Sequence, residues 1–177
     1  MKTLAIFCSG KNNLKEEYVE IAKKLVSSID INKYTIAYGG GSTGIMGYVR
    51  NTYTEKGGKV ISSNLYRFEE PNIPDDFIFE KISDRQAKLV ELGDIFLALP
   101  GGIGTLFETL QVLTSNYIGE CSKEILLLNH NHLFDSFVEQ MDVLKTEGFL
   151  KYSLDDLKMR IFTDCQELID YLNSKEN

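Results

Sequence analysis

The chain has no tryptophan, and among its 177 residues there are only three prolines, three cysteines and two histidines. The cysteines, Cys8, Cys121 and Cys165, are scattered and odd in number. That excludes a disulfide framework and suits reduced thiols in a cytoplasmic protein. No Cys-x-x-Cys occurs, and His130-Asn131-His132 reads as a loop after a strand rather than a metal centre. Basic residues are outnumbered 26 to 19, for a net charge of -7. No basic stripe exists to displace counterions, so a nucleic-acid polymer is excluded as partner. No apolar run reaches the length of a membrane span, and the start of the chain enters a strand-like run without a cleavable signal pattern. No Gly-x-x-x-x-Gly-Lys-Ser/Thr occurs, which removes a P-loop nucleotidase. The first strand's loop carries only Gly10, which argues against a redox dinucleotide fold.

What is present is a regular alternation. Short apolar runs at 4–8, 34–38, 59–63, 77–82, 95–99, 124–128 and 160–162 read as strands. Between them, apolar residues recur at helical spacing over 14–29, 44–56, 84–92, 103–117, 134–144 and 165–172. Hydrophobic residues make up 43%, enough for the core of one domain spanning 1–177. This order predicts an α/β fold, a Rossmann-like doubly wound parallel sheet with helices on both faces. The stretch 64–76, with Pro71 and Pro74, is the least regular and reads as a functional or mobile loop.

Ligands in such a sheet bind beyond the carboxyl ends of the strands. Two glycine-rich turns leave strands at that edge. One is Gly39-Gly40-Gly41-Ser42-Thr43-Gly44-Ile45-Met46-Gly47, the other Pro100-Gly101-Gly102-Ile103-Gly104-Thr105. Pro100 ends its strand because it cannot donate a ladder hydrogen bond. The glycines admit close backbone approach, and the free N–H groups of the helix that follows attract an anion, phosphate above all. Glu108 lies about one helical turn further on, an odd place for a carboxylate if the ligand is only an anion.

Pro100-Gly101-Gly102-Ile103-Gly104-Thr105-Leu106-Phe107-Glu108 resembles the Pro-Gly-Gly-x-Gly-Thr-x-x-Glu signature of the lonely-guy (LOG) family. The 39–47 block is similar to that family's Gly-Gly-Gly-x-x-Gly-hydrophobic-Met-Gly, and Arg85 stands where the family has the arginine of an Arg-Lys pair. Members were long labelled lysine decarboxylases. The resemblance implies a cofactor-free phosphoribohydrolase of cytokinin activation, which releases base and ribose 5-phosphate from an adenine-type nucleoside 5′-monophosphate. It implies Arg85 and Glu108 as catalytic residues. Ser9, Gly40, Gly41, Ser42, Gln86, Gly101, Gly102, Ile103, Gly104, Thr105 and Thr114 would contact substrate or its phosphate. It also implies a homodimer packed through helices near the signature, where Leu110, Val112, Leu113 and Ile118 serve either the interface or the core.

The chemistry agrees with the residues. N-glycosidic hydrolysis builds positive charge on the ribose, which a carboxylate stabilises, while the phosphate needs an anion site nearby. An arginine's planar fork suits bidentate contact with either group. The chain departs from the family at Phe107, where a glutamate is usual, at Gln86 in place of lysine, and at Ser115 in place of tryptophan. Arg67 replaces a loop glutamate, with Glu69 and Glu70 close by. These positions bear on the base pocket. The alternative reading is a non-catalytic carrier of a nucleotide or of the molybdenum cofactor, built on the same fold.

Overall fold

The computed structural model describes residues 1–70 and 75–175. Seven parallel strands form one sheet in the order β4-β3-β2-β1-β5-β6-β7. They are β1 (Lys2–Phe7), β2 (Tyr34–Tyr38), β3 (Val60–Leu65), β4 (Phe77–Phe79), β5 (Ile95–Ala98), β6 (Glu124–Leu128) and β7 (Met159–Phe162). The helices are α1 (Glu16–Ser28), α2 (Gly44–Glu55), α3 (Ile82–Leu92), α4 (Ile103–Tyr117), α5 (Asp135–Thr146) and α6 (Cys165–Ser174).

The sheet separates two cores. Leu4, Ile6, Ile36, Leu97 and Leu126 face α1, α2 and α6 through Leu25, Val49 and Leu168. Ala5, Phe7, Phe96, Ile125 and Leu127 face α3, α4 and α5 through Leu89, Val112 and Phe137. Both faces of the central strands are covered, which is why these strands read as unbroken apolar runs. The doubly wound, Rossmann-like expectation is met.

Some boundaries differ from the sequence reading. β3 runs on to Leu65, because Ser63, Asn64 and Leu65 pair with Phe77, Ile78 and Phe79 of β4. A 3₁₀ turn at Tyr66–Phe68 follows, so the irregular stretch is shorter than 64–76. Pro71 and Pro74 lie outside the described residues. β4 stops at Phe79 rather than 82, and α3 begins at Ile82 rather than 84, with Asp84 in its first turn where a negative charge suits the helix dipole. α6 is capped by Asp164, whose carboxylate accepts from the N–H groups of Gln166 and Glu167 at 2.6 and 3.0 Å.

Chain order reverses between β1 and β5, so the crevice beyond their carboxyl ends is the expected ligand position. The loops there are tied together. The Leu99 N–H donates to the Phe7 carbonyl at 2.9 Å, Ser9 N–H to Pro100 O at 3.3 Å, and Met46 N–H to Ser9 O at 3.1 Å. The Thr43 hydroxyl closes the set on the Gly10 carbonyl at 2.6 Å.

Candidate active site

The three loops enclose a cleft of about 400 Å³, lined by Cys8, Ser9 and Gly10, by Met46, and by the turn from Pro100 to Thr105. The turn after β5 is shaped by contact. A Cβ on Gly101 would sit 2.0 Å from the Thr105 hydroxyl and 2.7 Å from Thr105 Cβ, so only glycine fits while Thr105 stays inward. α4 then starts after Gly102 without a side-chain cap, so its first N–H groups have no side-chain acceptor in the turn that lines the cleft. Thr105 is buried, and its hydroxyl has no hydrogen-bond partner. A buried hydroxyl without a partner is costly, and an anion on this turn would satisfy it together with the helix N–H groups.

Glu108, on the next turn of α4, is 4% exposed, and Arg85 of α3 is 7% exposed. The Arg85 guanidinium donates to Glu108 Oε1 at 2.9 Å, to the Ser63 carbonyl at 2.8 Å and to the Gly39 carbonyl at 3.2 Å. One side chain thus joins β3, the glycine turn after β2 and α4. Burial pushes the Glu108 carboxyl above its ordinary range, and the Arg85 cation and the Gln86 amide counter only part of that shift. The thiol of Cys8, at the cleft floor, is raised by burial and then by the charge of Glu108. The pair therefore lies within electrostatic reach of the floor, although neither Arg85 nor Glu108 lines the cleft itself.

The structure places the other sequence-predicted residues as follows. Ser9, Gly101, Gly102, Ile103, Gly104 and Thr105 all line the cleft. Gln86 is buried beside Glu108. Gly40 is buried with φ +82° and faces Asn64 and Asp75, where a Cβ would come within 2.6 Å of Asn64. Gly41 packs on Met46, and the Ser42 hydroxyl donates to the Glu70 carboxylate rather than facing the cleft. Thr114 is exposed on the outer side of α4, away from the cleft.

Sequence reasoning missed several participants. Gly39 is one, since a Cβ there would meet Arg85 Nη2 at 2.2 Å. The Ser63 carbonyl, Glu70 and the apolar residues Leu14, Tyr18 and Leu133 at the cleft are others. Glu70 was visible only as one of two glutamates near the position of Arg67. Among the described residues, no group of three His, Cys, Asp or Glu side chains is placed to hold a metal ion.

A family model described as "Possible lysine decarboxylase" matches residues 42–172. A cytokinin riboside 5′-monophosphate phosphoribohydrolase of Rhodococcoides fascians is 28% identical over 84% of this chain and 78% of its own length. An Arabidopsis thaliana enzyme of the same name is 31% identical, over 86% of this chain and 69% of its own. A relative from Oryza sativa subsp. japonica is 32% identical over 97% and 83% of the two chains. This chain belongs to the LOG family. Among solved structures, the molybdenum cofactor carrier protein of Chlamydomonas superposes with a TM-score of 0.69 at 18% identity, covering 97% of this chain and 95% of that one. The molybdenum cofactor binding protein of Rippkaea orientalis gives 0.69 at 17% identity, over 98% and 96%. At such identities the likeness is one of fold.

Proposed function

We propose that this LOG-family chain hydrolyses the N-glycosidic bond of adenine-type nucleoside 5′-monophosphates. The products are the free base and ribose 5-phosphate. One observation carries the reading: a buried Arg85–Glu108 pair stands one turn behind an uncapped helix start whose inward hydroxyl, that of Thr105, has no partner. A phosphate on the Gly101–Thr105 turn brings its ribose to the cleft floor near Glu108. As the bond between C1′ and the base nitrogen breaks, positive charge develops on the sugar, and the carboxylate stabilises it. Water attacks C1′ and Glu108 accepts a proton from it; the leaving base nitrogen takes up one proton from solvent, and Glu108 returns its proton to solvent as the products leave. Burial makes Glu108 a stronger proton acceptor than a solvated carboxylate, which suits this role. Arg85 holds the carboxylate in place until substrate arrives, and the catalytic contact forms in the Michaelis complex.

We assign Ser9, Gly40, Gly41, Ser42, Gln86 and the 101–105 turn to substrate binding. Ser42 reaches a phosphate once it leaves Glu70. Thr114 sits on the outer face of α4, with Ile103, Phe107, Leu110, Tyr117 and Ile118, all exposed. Val112 and Leu113 are core residues, which leaves Leu110 and Ile118 for an interface. The face is an unpartnered apolar stripe, and the reading places a second copy there, giving a homodimer. No helix among the described residues is long and apolar enough to cross a membrane. The three free cysteines suit the cytoplasm.

Incubation with AMP and with N6-prenylated AMP, followed by assay of ribose 5-phosphate, tests the proposal. Release from either that is lost in Glu108→Gln supports it. No release from either, or release unchanged in Glu108→Gln, refutes it. Copurification of a pterin with no dependence on Glu108 would instead mark a carrier.

A further inference from the structure

Met46 stands in the 39–47 block, and the proposed reaction gives it no role. Glycines surround its thioether. A Cβ on Gly39 would meet the Met46 methyl at 3.0 Å and its sulfur at 3.3 Å. A Cβ on Gly41 would meet the sulfur at 3.1 Å, and one on Gly10 at 3.5 Å. The thioether thus rests in a dish of three glycines drawn from the loops after β1 and β2. Gly39 is shared with the buried ion pair. The same missing side chain would come within 2.2 Å of Arg85 Nη2, which donates to the Gly39 carbonyl at 3.2 Å. Met46 therefore faces the cleft, which it lines, and also packs on the glycine that carries Arg85.

The main chain under this side chain is pinned. The Met46 N–H donates to the Ser9 carbonyl at 3.1 Å. Ile45 before it is buried, and Gly47 after it is pressed on the turn, where a Cβ would stand 2.1 Å from the Ser42 carbonyl oxygen. The Met46 side chain itself is only half-buried, and an unbranched thioether turns about three bonds. The movable part is the side chain alone. Movement is needed there, because Arg85 and Glu108 are buried and neither lines the cleft. A sugar held near the Gly101–Thr105 turn reaches the carboxylate only when something gives way. Cys8, also at the cleft floor, is buried and has one short torsion with which to move aside.

We propose that Met46 is a positioning residue: its thioether stops the passage between the cleft and the Arg85–Glu108 pair, and it swings out of the glycine dish when substrate enters. Closed, it keeps water from the carboxylate, in keeping with the burial that raises the Glu108 carboxyl. Open, the space left over Gly39 and Gly41 admits the sugar to Glu108. Side chains at those two positions would hold the thioether out of its seat, which accounts for glycine at both. This rests on the hydrolase reading for what passes the stopper, and it adds the group that admits it.

The experiment compares wild type, Met46→Ala and Met46→Leu, with circular dichroism to check that each folds. Carbon-13 NMR of the side-chain carboxyls follows the titration of Glu108 without ligand, its signal assigned by its absence in Glu108→Gln. Steady-state kinetics with AMP and calorimetry with ribose 5-phosphate complete the set. Arg85, Gln86 and the Cys8 thiol, the groups that act on the Glu108 carboxyl, are the same in all three proteins, so a shift reports water. In Met46→Ala, Glu108 should titrate about one pH unit or more below wild type, and the acid limb of kcat/KM should move down with it. Met46→Leu keeps the volume but is branched and swings less. Its kcat should fall about tenfold, with KM for AMP and the affinity for ribose 5-phosphate within about twofold of wild type. An unchanged Glu108 titration in Met46→Ala overturns the stopper. So does a Met46→Leu as active as wild type, or one that raises KM with kcat unchanged, the pattern of a plain binding contact. No hydrolysis by the wild type, with Glu108 titrating lower in Met46→Ala, leaves the stopper standing and removes the hydrolase reading. Hydrolysis lost in Glu108→Gln, with the titration unmoved in Met46→Ala, does the reverse.

Discussion

Arg85→Ala and Glu108→Gln should be equally inactive and unequally stable. Both break the same 2.9 Å ion pair, whose side chains are 8% and 4% exposed. Glu108→Gln leaves Arg85 its two backbone acceptors, Ser63 O and Gly39 O, and offers a neutral oxygen in place of the carboxylate. The loss is that of a charge-assisted hydrogen bond, about 1–3 kcal/mol. Arg85→Ala removes the donors to both carbonyls, leaves a cavity between α3 and α4, and strands a carboxylate in a dry site. Truncation of one partner of a buried pair costs about 3–5 kcal/mol. The expected gap in urea-unfolding free energy is thus roughly 2 kcal/mol, with Arg85→Ala the weaker protein. The pH response separates the two further. Burial already raises the folded carboxyl of Glu108 above 4.5, and the lost arginine removes the charge that opposed this shift. A raised folded carboxyl contributes stability below its unfolded value, and that contribution is lost as pH rises through the folded value. Arg85→Ala should therefore recover stability as the buffer is made more acid, while Glu108→Gln should not. Ribose 5-phosphate release should drop by about 10²-fold or more in both, the usual size of losing one electrostatic stabiliser. Arg85→Ala unfolding no more easily than Glu108→Gln at neutral pH would refute the role given to the two carbonyls.

Gly101→Ala should lower activity by about 10²-fold, and stability by about 1–3 kcal/mol, because Thr105 stands 2.0 Å from the new Cβ and the turn has to shift. Thermal unfolding should show Gly104→Ala as the opposite case, about 0.5–1 kcal/mol more stable, since a Cβ there meets nothing within 4 Å. In a pH–rate profile, the acid limb of kcat/KM should lie above the ordinary carboxylate value of 4.5, since Glu108 works ionised and its carboxyl is raised. Activity is then lost as pH falls through that raised value, and a limb at or below 4.5 would show that another group titrates. Leu110→Glu should convert a dimer into a monomer in light scattering, with little change in unfolding, because Leu110 lies on the exposed stripe of α4.

Arg85 and Glu108 are 23 residues apart, on different helices, and they meet in a buried ion pair. The glycine-rich turn draws attention to Glu108 by geometry, whereas Arg85 is named only by the resemblance to the LOG family. Alternating strands and helices imply parallel strands, parallel strands put every strand-to-helix turn at one edge, and a carboxylate one turn into such a helix has few places to go. The apolar residues that line the cleft, Tyr18, Met46 and Leu133, are not legible by the same reasoning. Tyr18 falls in the apolar stripe of α1, where periodicity cannot separate a residue packed on the core from one that also faces a cleft. Met46 reads as part of a glycine-rich turn. Leu133 follows a turn whose left-handed residues are asparagine and histidine, so no glycine announces it. Ser42 shows the same limit, since its place in a phosphate-type turn does not reveal that a glutamate 28 residues away accepts its hydroxyl. Groups that act through backbone position are encoded by glycine, proline and helix starts, which a sequence displays. Groups that act by shape are apolar residues placed by tertiary contact, and nothing distinguishes them from the core until the loops have closed.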